Sequence, residues 1–343
     1  MSGYERPAAG RSGLRLHLNE HTGGCSPKVL ERLRQLDAAD VGLYPDYGEI
    51  ARVAAEWFGV RPDEIILTNG LDEGILGASV FALRGRAESE AIVVEPAFDV
   101  YEVSVRALAA TVVRARFGEH FTLAAEDVLA RVTPNTRLIF LNDPHNPSGA
   151  RVVPAVIRAI AQSAPQATVF VDEAYAEFAA GTSIPWAVRE ATNVLVGRTF
   201  AKAYGLAGVR LGAVLGSPAL IEALTEIVPP YSVNAYAAAA LVAALADRDY
   251  IEDYIAQSAR SRELVADFCR RRGLHAFPSA ANFVLIRVGN APALVAALAQ
   301  KGVYVRDRSD QPGCAGCIRM TAGLIDDTRR ALEVLEEVLC AAP

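Results

Sequence analysis

Seven short apolar runs, at residues 65–68, 91–95, 111–115, 138–141, 168–171, 194–197 and 211–215, constrain this chain more than any other feature. Runs of this length suit strands of a buried sheet. Helical patterns separate most of them, for example at 72–83, 124–131 and 154–163, the last opening on a proline in its first turn. Alternation of this kind predicts an α/β fold, with a mostly parallel seven-stranded sheet covered on both faces by helices. Beyond Pro229 and Pro230 the pattern changes. A long helical stretch at 249–272 leads to strands at 282–288 and 317–321, which flank a helix at 291–300. The expected division is a large domain at 44–234, and a smaller α+β domain from 1–43 and 235–343 that includes an N-terminal arm. There is no internal repeat and no low-complexity tract.

Composition narrows the function classes. A chain of 343 residues can bury a large core, and its 52% hydrophobic residues are spread rather than clustered. The formal charge of -6 gives no basic footprint, which argues against a nucleic-acid partner. The alanine-rich stretch at 235–246 is too short to cross a membrane and reads as a buried helix. Residues 1–15 are polar, without the apolar segment of a signal peptide, so a cytoplasmic enzyme is expected. Five cysteines do not describe a disulfide framework. Cys314 and Cys317 form a single C-x-x-C. Zinc would need two further ligands at suitable spacing, and a thioredoxin-like pair should open a helix, whereas this one leads into a strand. The expectation is a tight loop and no metal.

The chemistry-bearing residues gather where strands end. Lys202 follows the run at 194–197 and stands eight residues before Arg210, with Gly205 and Gly208 allowing a tight turn between them. Partial desolvation there makes the lysine a candidate Schiff-base nucleophile, and the arginine a candidate anion partner. A lysine that holds an aldehyde beside an arginine that holds its phosphate is what pyridoxal phosphate requires. Asp172 ends the run at 168–171, at the end of a strand where open α/β sheets bind ligands, and can pair with a protonated pyridine nitrogen. Tyr175 is placed to reach the ring's phenolic oxygen. Asn146, in the rigid turn made by Pro144 and Pro147, offers an amide donor to the same oxygen. Gly70, Leu71 and Asp72 open a helix whose N–H groups can cradle a phosphate. Each segment alone has a plainer reading: a loop lysine, an N-cap aspartate, a common turn. The four in this order, each at a strand end, point together to pyridoxal phosphate.

With these residues in view, the chain resembles the fold type I pyridoxal phosphate aminotransferases, and most closely the histidinol-phosphate aminotransferase family. The resemblance runs from Leu16 through Asn19 and Glu20 to Arg319 and Gly323, nearly the whole chain. It takes in Tyr44-Pro-Asp46, Thr68-Asn-Gly70, the stretch from Asn142 to Gly149, Asp172-Glu-Ala-Tyr175, Lys202, the stretch from Gly205 to Arg210, Pro229-Pro-Tyr231 and Asn282. It implies Lys202 as the Schiff-base lysine and proton shuttle, with Asp172 on the pyridine nitrogen and Asn146 and Tyr175 on the phenolic oxygen. Arg210, Thr199 and the backbone at Gly70, Leu71 and Asp72 would hold the phosphate. Phe98 would stack on the cofactor ring, where family members commonly carry tyrosine. Tyr44 would reach the cofactor phosphate of a neighbouring subunit, which implies a homodimer with shared sites. Arg319 would grip the anionic end of the substrate with Arg306 close by, and Asn19 and Tyr231 would complete the substrate contacts.

The implied reaction converts histidinol phosphate and 2-oxoglutarate to imidazole acetol phosphate and glutamate. Sister activities share these motifs: an aromatic amino-acid aminotransferase, a threonine-phosphate decarboxylase-like enzyme, or a pyridoxal phosphate enzyme of secondary metabolism. A non-catalytic regulatory module is a further alternative, but the arm before Leu14 cannot hold a helix-turn-helix. Some positions depart from the family pattern. Ala201 replaces the usual serine before the lysine, residues 21–24 differ from the usual substrate lip, Ser232 replaces an asparagine, and the segment after Arg319 is altered. All lie near the substrate or phosphate, and none removes a catalytic group.

Overall fold

The computed structural model describes residues 12–86 and 88–341. The arm expected before Leu14 falls almost wholly outside them. All seven apolar runs are strands, each within a residue or two of its expected bounds: β1 Ile65–Thr68, β2 Glu90–Glu95, β3 Thr111–Arg116, β4 Thr136–Asn142, β5 Thr168–Asp172, β6 Val194–Thr199 and β7 Gly212–Gly216. They make one sheet in the order β1-β7-β6-β5-β4-β2-β3. Every residue of β5, β6 and β7 is buried, so the period-two alternation of a one-sided sheet is absent and helices cover both faces.

Only β7 runs against its neighbours. That reversal matters for the site. Gly212, at the start of β7, lies opposite both Thr68 and Thr199, the last residues of β1 and β6. The segment just before β7, with Arg210, therefore sits at the edge where β1, β4, β5 and β6 finish. This is the edge at which open α/β sheets hold ligands.

The C-terminal third builds a second, antiparallel sheet from β8 His275–Ala276, β9 Phe283–Arg287, β10 Arg306–Asp307 and β11 Cys317–Thr321, in the order β10-β11-β9-β8. Its apolar face packs with the helices Arg248–Arg271 and Ile325–Ala341 around Val265, Phe268, Ile286, Ile318 and Leu335. Leu14–Arg15 pairs in parallel with Val303–Tyr304, which ties the start of the described chain to this unit. The alanine-rich stretch is the helix Ala235–Leu245, and it buries Ala237 and Leu241 in the core of the large sheet, together with Ile251 and Tyr254. The large core thus continues past position 234.

Cys314 and Cys317 close a turn, with the Cys317 N–H donating to the Cys314 carbonyl at 2.9 Å. Both are free, buried thiols packed with Phe121, Phe277 and Leu285. Burial pushes the Cys314 thiol up to about 12, the setting of an inert cysteine. Among the described residues, no helix is long and apolar enough to cross a membrane.

Candidate active site

The two units meet at a cavity of about 320 Å³ over the ligand-binding edge of the large sheet. Twelve of the residues singled out in the sequence line it: Asn19, Leu71, Asp72, Phe98, Asn146, Asp172, Tyr175, Thr199, Lys202, Arg210, Arg306 and Arg319. Gly70 abuts it, because a Cβ there would lie 2.4 Å from Arg210 Nη2. Its φ of +75° is a second reason the position favours glycine. Tyr44 and Tyr231 do not line it. They stack on each other with centroids 4.2 Å apart, and are 72% and 61% exposed.

The floor is Asp172, the last residue of β5. Its carboxylate accepts hydrogen bonds from Tyr101 Oη at 2.5 Å and the Ala174 N–H at 2.9 Å. Burial nevertheless pushes its pKa up to about 6, the two hydrogen bonds opposing the shift. A buried carboxylate in this state gains strongly from a cationic N–H placed against it.

Two donors converge above the floor. Asn19 Nδ2 donates to Tyr175 Oη at 3.0 Å, so the tyrosine's own O–H is left to donate elsewhere. Arg319 Nη1 donates to Asn146 Oδ1 at 2.5 Å, which occupies the carbonyl of that amide and leaves its NH₂ available. Arg319 Nη2 donates to the His17 carbonyl at 2.7 Å. Among the described residues Lys202 is the only lysine lining the cavity, and its Nζ donates to the Leu18 carbonyl at 3.1 Å. It also lies 5.8 Å from the centre of the Tyr175 ring.

At the other end Arg210 meets the start of the helix Leu71–Leu83, with Nη2 at 3.0 Å from Asp72 Oδ2. The first N–H groups of that 13-residue helix, the Arg210 guanidinium and the Thr199 hydroxyl form an anion cup. Gly212 allows it, since a Cβ there would come within 2.5 Å of the Leu71 nitrogen. A cup for a phosphate, a lysine amine, an acid for a ring nitrogen and two donors for a ring oxygen match the donor set that pyridoxal phosphate needs. The residues present fit that group.

A buried ion network lies beneath. Arg198 pairs with Glu173 at 3.4 Å and with Glu177, which also accepts from Tyr204 Oη at 3.0 Å; Trp57 Nε1 in turn donates to Tyr204 Oη at 2.8 Å. Apart from Trp57, each member stands within two residues of Asp172, Tyr175, Thr199 or Lys202, so the network ties the ends of β5 and β6 together. Arg198→Met leaves two buried carboxylates unpaired and is expected to cost about 3–5 kcal/mol. Urea unfolding measures it, and a loss below about 1 kcal/mol would show that the pairs contribute little.

Sequence reasoning missed Tyr101, the partner of Asp172, which sits in the helix Asp99–Ala107 with no motif around it. It missed His17 as a cavity residue, and Arg308 lines the cavity as well. Asn19, expected to touch substrate, lines the cavity while its amide donates to Tyr175 Oη and accepts from the Thr321 hydroxyl.

Comparison with known proteins agrees with this geometry. A family profile described as "Aminotransferase class I and II" matches residues 11–335. The chain is 36% identical to the histidinol-phosphate aminotransferase of Limosilactobacillus fermentum, covering 92% of this chain and 88% of that one. It is 33% identical to the protein of that name from Haloarcula marismortui, with 95% and 90% covered. Among solved structures it is similar to histidinol-phosphate aminotransferase from Sinorhizobium meliloti in complex with pyridoxal-5'-phosphate. The TM-score there is 0.84 at 28% identity, over 95% of this chain and 92% of the other.

Proposed function

The chain belongs to the class I and II aminotransferase family and is a pyridoxal phosphate-dependent transaminase; we propose that it moves the amino group of histidinol phosphate to 2-oxoglutarate, releasing imidazole acetol phosphate and glutamate. The observation that carries this reading is one cavity lined by Lys202, Asp172 and the anion cup together with Arg306 and Arg319.

When bound, pyridoxal phosphate supplies a sink for the electron pair left as a proton departs from the substrate. The chain's own groups do the rest. Lys202 would hold the cofactor through its Nζ, and as a free amine that Nζ is the group to take the proton from the substrate's α-carbon. Asp172 would hold the ring nitrogen, and Tyr175 and Asn146 would donate to the ring oxygen. Arg210, Thr199 and the N–H groups at Leu71 and Asp72 hold the phosphate, and Gly70 leaves room for Arg210. Ala201 contributes no hydroxyl, so the cup has one donor fewer than with serine. Phe98 flanks the ring. Arg319, steadied by Asn146 and His17, receives the substrate's anionic end with Arg306. Formation of glutamate from 2-oxoglutarate that depends on histidinol phosphate tests the proposal, and its absence would refute it.

Tyr44 and Tyr231, exposed and stacked beside Leu43, are assigned to the neighbouring subunit's site in a cytoplasmic homodimer. Sedimentation should find a dimer, and Tyr44→Ala should weaken cofactor retention. A monomer with full activity would remove both tyrosines from the site.

A further inference from the structure

Tyr101 touches the site from behind. It sits buried in the helix Asp99–Ala107, outside the residues that line the cavity. Its ring stacks on Phe140 with centroids 4.6 Å apart, and meets Phe98 edge-on at 5.8 Å. These apolar contacts hold the ring with its O–H on Asp172 Oδ2, at 2.5 Å. The Ala174 N–H donates to the other oxygen, Oδ1, at 2.9 Å. One donor on each oxygen leaves further lone pairs for the cavity, which Asp172 lines.

The charges around Asp172 do not by themselves keep it ionised. Burial is the largest influence on it and favours the neutral acid. Asp72, at the start of the helix Leu71–Leu83, pushes the same way, while Lys202, beyond the end of β6, favours the carboxylate. Tyr175, three residues beyond Asp172, faces Tyr101 as well. The strongest influence against burial is the hydrogen bond from Tyr101, ahead of that from Ala174. A hydrogen bond to an ionised acceptor is about twice as strong as one between neutral groups, so this donor favours the charged form. Burial and the facing carboxylate hold the Tyr101 phenol well above its ordinary range, so it stays a donor.

Resting on the pyridoxal phosphate reading above, we propose that Tyr101 is a positioning residue: through this one hydrogen bond it keeps Asp172 ionised, and so keeps the shared proton on the cofactor's ring nitrogen instead of on the acid. A proton between an acid and a ring nitrogen goes to the stronger base. A donor behind the carboxylate weakens it as a base, which leaves the proton on nitrogen and the ring cationic. A cationic ring is the better electron sink. Tyr101 thus acts on the chemistry without touching the cofactor.

The test is Tyr101→Phe, which keeps the stacked ring and removes one O–H. In the cofactor-free protein, carboxyl carbon resonances of isotope-labelled aspartate are followed across pH, and that of Asp172 is identified by its loss in Asp172→Asn. The Asp172 midpoint should rise by about one to two pH units in Tyr101→Phe. Difluorotyrosine at position 101, a stronger donor of nearly the same shape, should move it down, and it decides the case if Tyr101→Phe does not fold. In the holoenzyme, loaded with pyridoxal phosphate labelled at the ring nitrogen, that resonance should shift toward the neutral ring. Each half-reaction should slow about tenfold or more. A packing role alone would loosen the cofactor and leave the Asp172 midpoint where it is in wild type. An unchanged midpoint, or a ring nitrogen as protonated as in wild type, would overturn the assignment. Should no amine be turned over, the transaminase reading fails, and the Asp172 titration still decides the role of Tyr101.

Discussion

Lys202→Ala is expected to remain folded, to lose the visible absorbance of the lysine-linked cofactor, and to transaminate slower by about 10²–10⁴-fold or more. The size follows from position. Among the described residues no other lysine lines the cavity, so no second amine stands ready to take the α-proton. The fold should tolerate the change because the hydrogen bond of Nζ is to a single carbonyl, that of Leu18. Absorbance spectra and circular dichroism of the purified variant check both halves. A retained visible band would contradict the assignment of Lys202.

Asp172→Ala is expected to slow each half-reaction by about 10²–10³-fold and to loosen the cofactor. Its partner hydrogen bonds from Tyr101 and Ala174 hold the carboxylate in one orientation, so the charge is positioned before the ring nitrogen arrives. A near-normal rate would remove Asp172 from that role. The same residue sets a pH dependence. Burial pushes its pKa up to about 6 from 3.8, so the folded chain keeps a proton that the unfolded chain has released. Stability of the cofactor-free protein should therefore fall as pH rises from about 4 to about 6, by on the order of 2–3 kcal/mol. Asp172→Asn should flatten that stretch of the profile. A cofactor with a protonated ring nitrogen should also flatten it, because the cation favours the ionised acid. Urea unfolding across this range reads all three, and a profile identical in wild type and Asp172→Asn would contradict the burial argument.

Local pattern made much of this site legible. Strands buried on both faces are short continuous apolar runs, so β1 to β7 could be read with their ends, and the ends are where the chemistry lies. Lys202, Asp172, Asn146 and Gly70 each stand within five residues of the end of such a run, so position along the chain implied position in space. Contacts between segments far apart were not legible. Tyr101 meets Asp172 across 71 residues, and Asn19 meets Tyr175 across 156, and a tyrosine or asparagine in its own segment gives no sign of that partner. The helix Ala235–Leu245 signalled burial through its alanines but not which core would receive it, since small residues on every side leave no dominant apolar face.

The most direct test of the central claim is a single-turnover spectral assay on the purified, cofactor-loaded protein. Histidinol phosphate, glutamate, an aromatic amino acid and phosphothreonine are offered separately while carbon dioxide is monitored. Rapid conversion to the pyridoxamine form with histidinol phosphate and with glutamate, without carbon dioxide, is the predicted result. Release of carbon dioxide, or a histidinol phosphate reaction no faster than that of the other amines, would contradict it and assign the site to a sister chemistry.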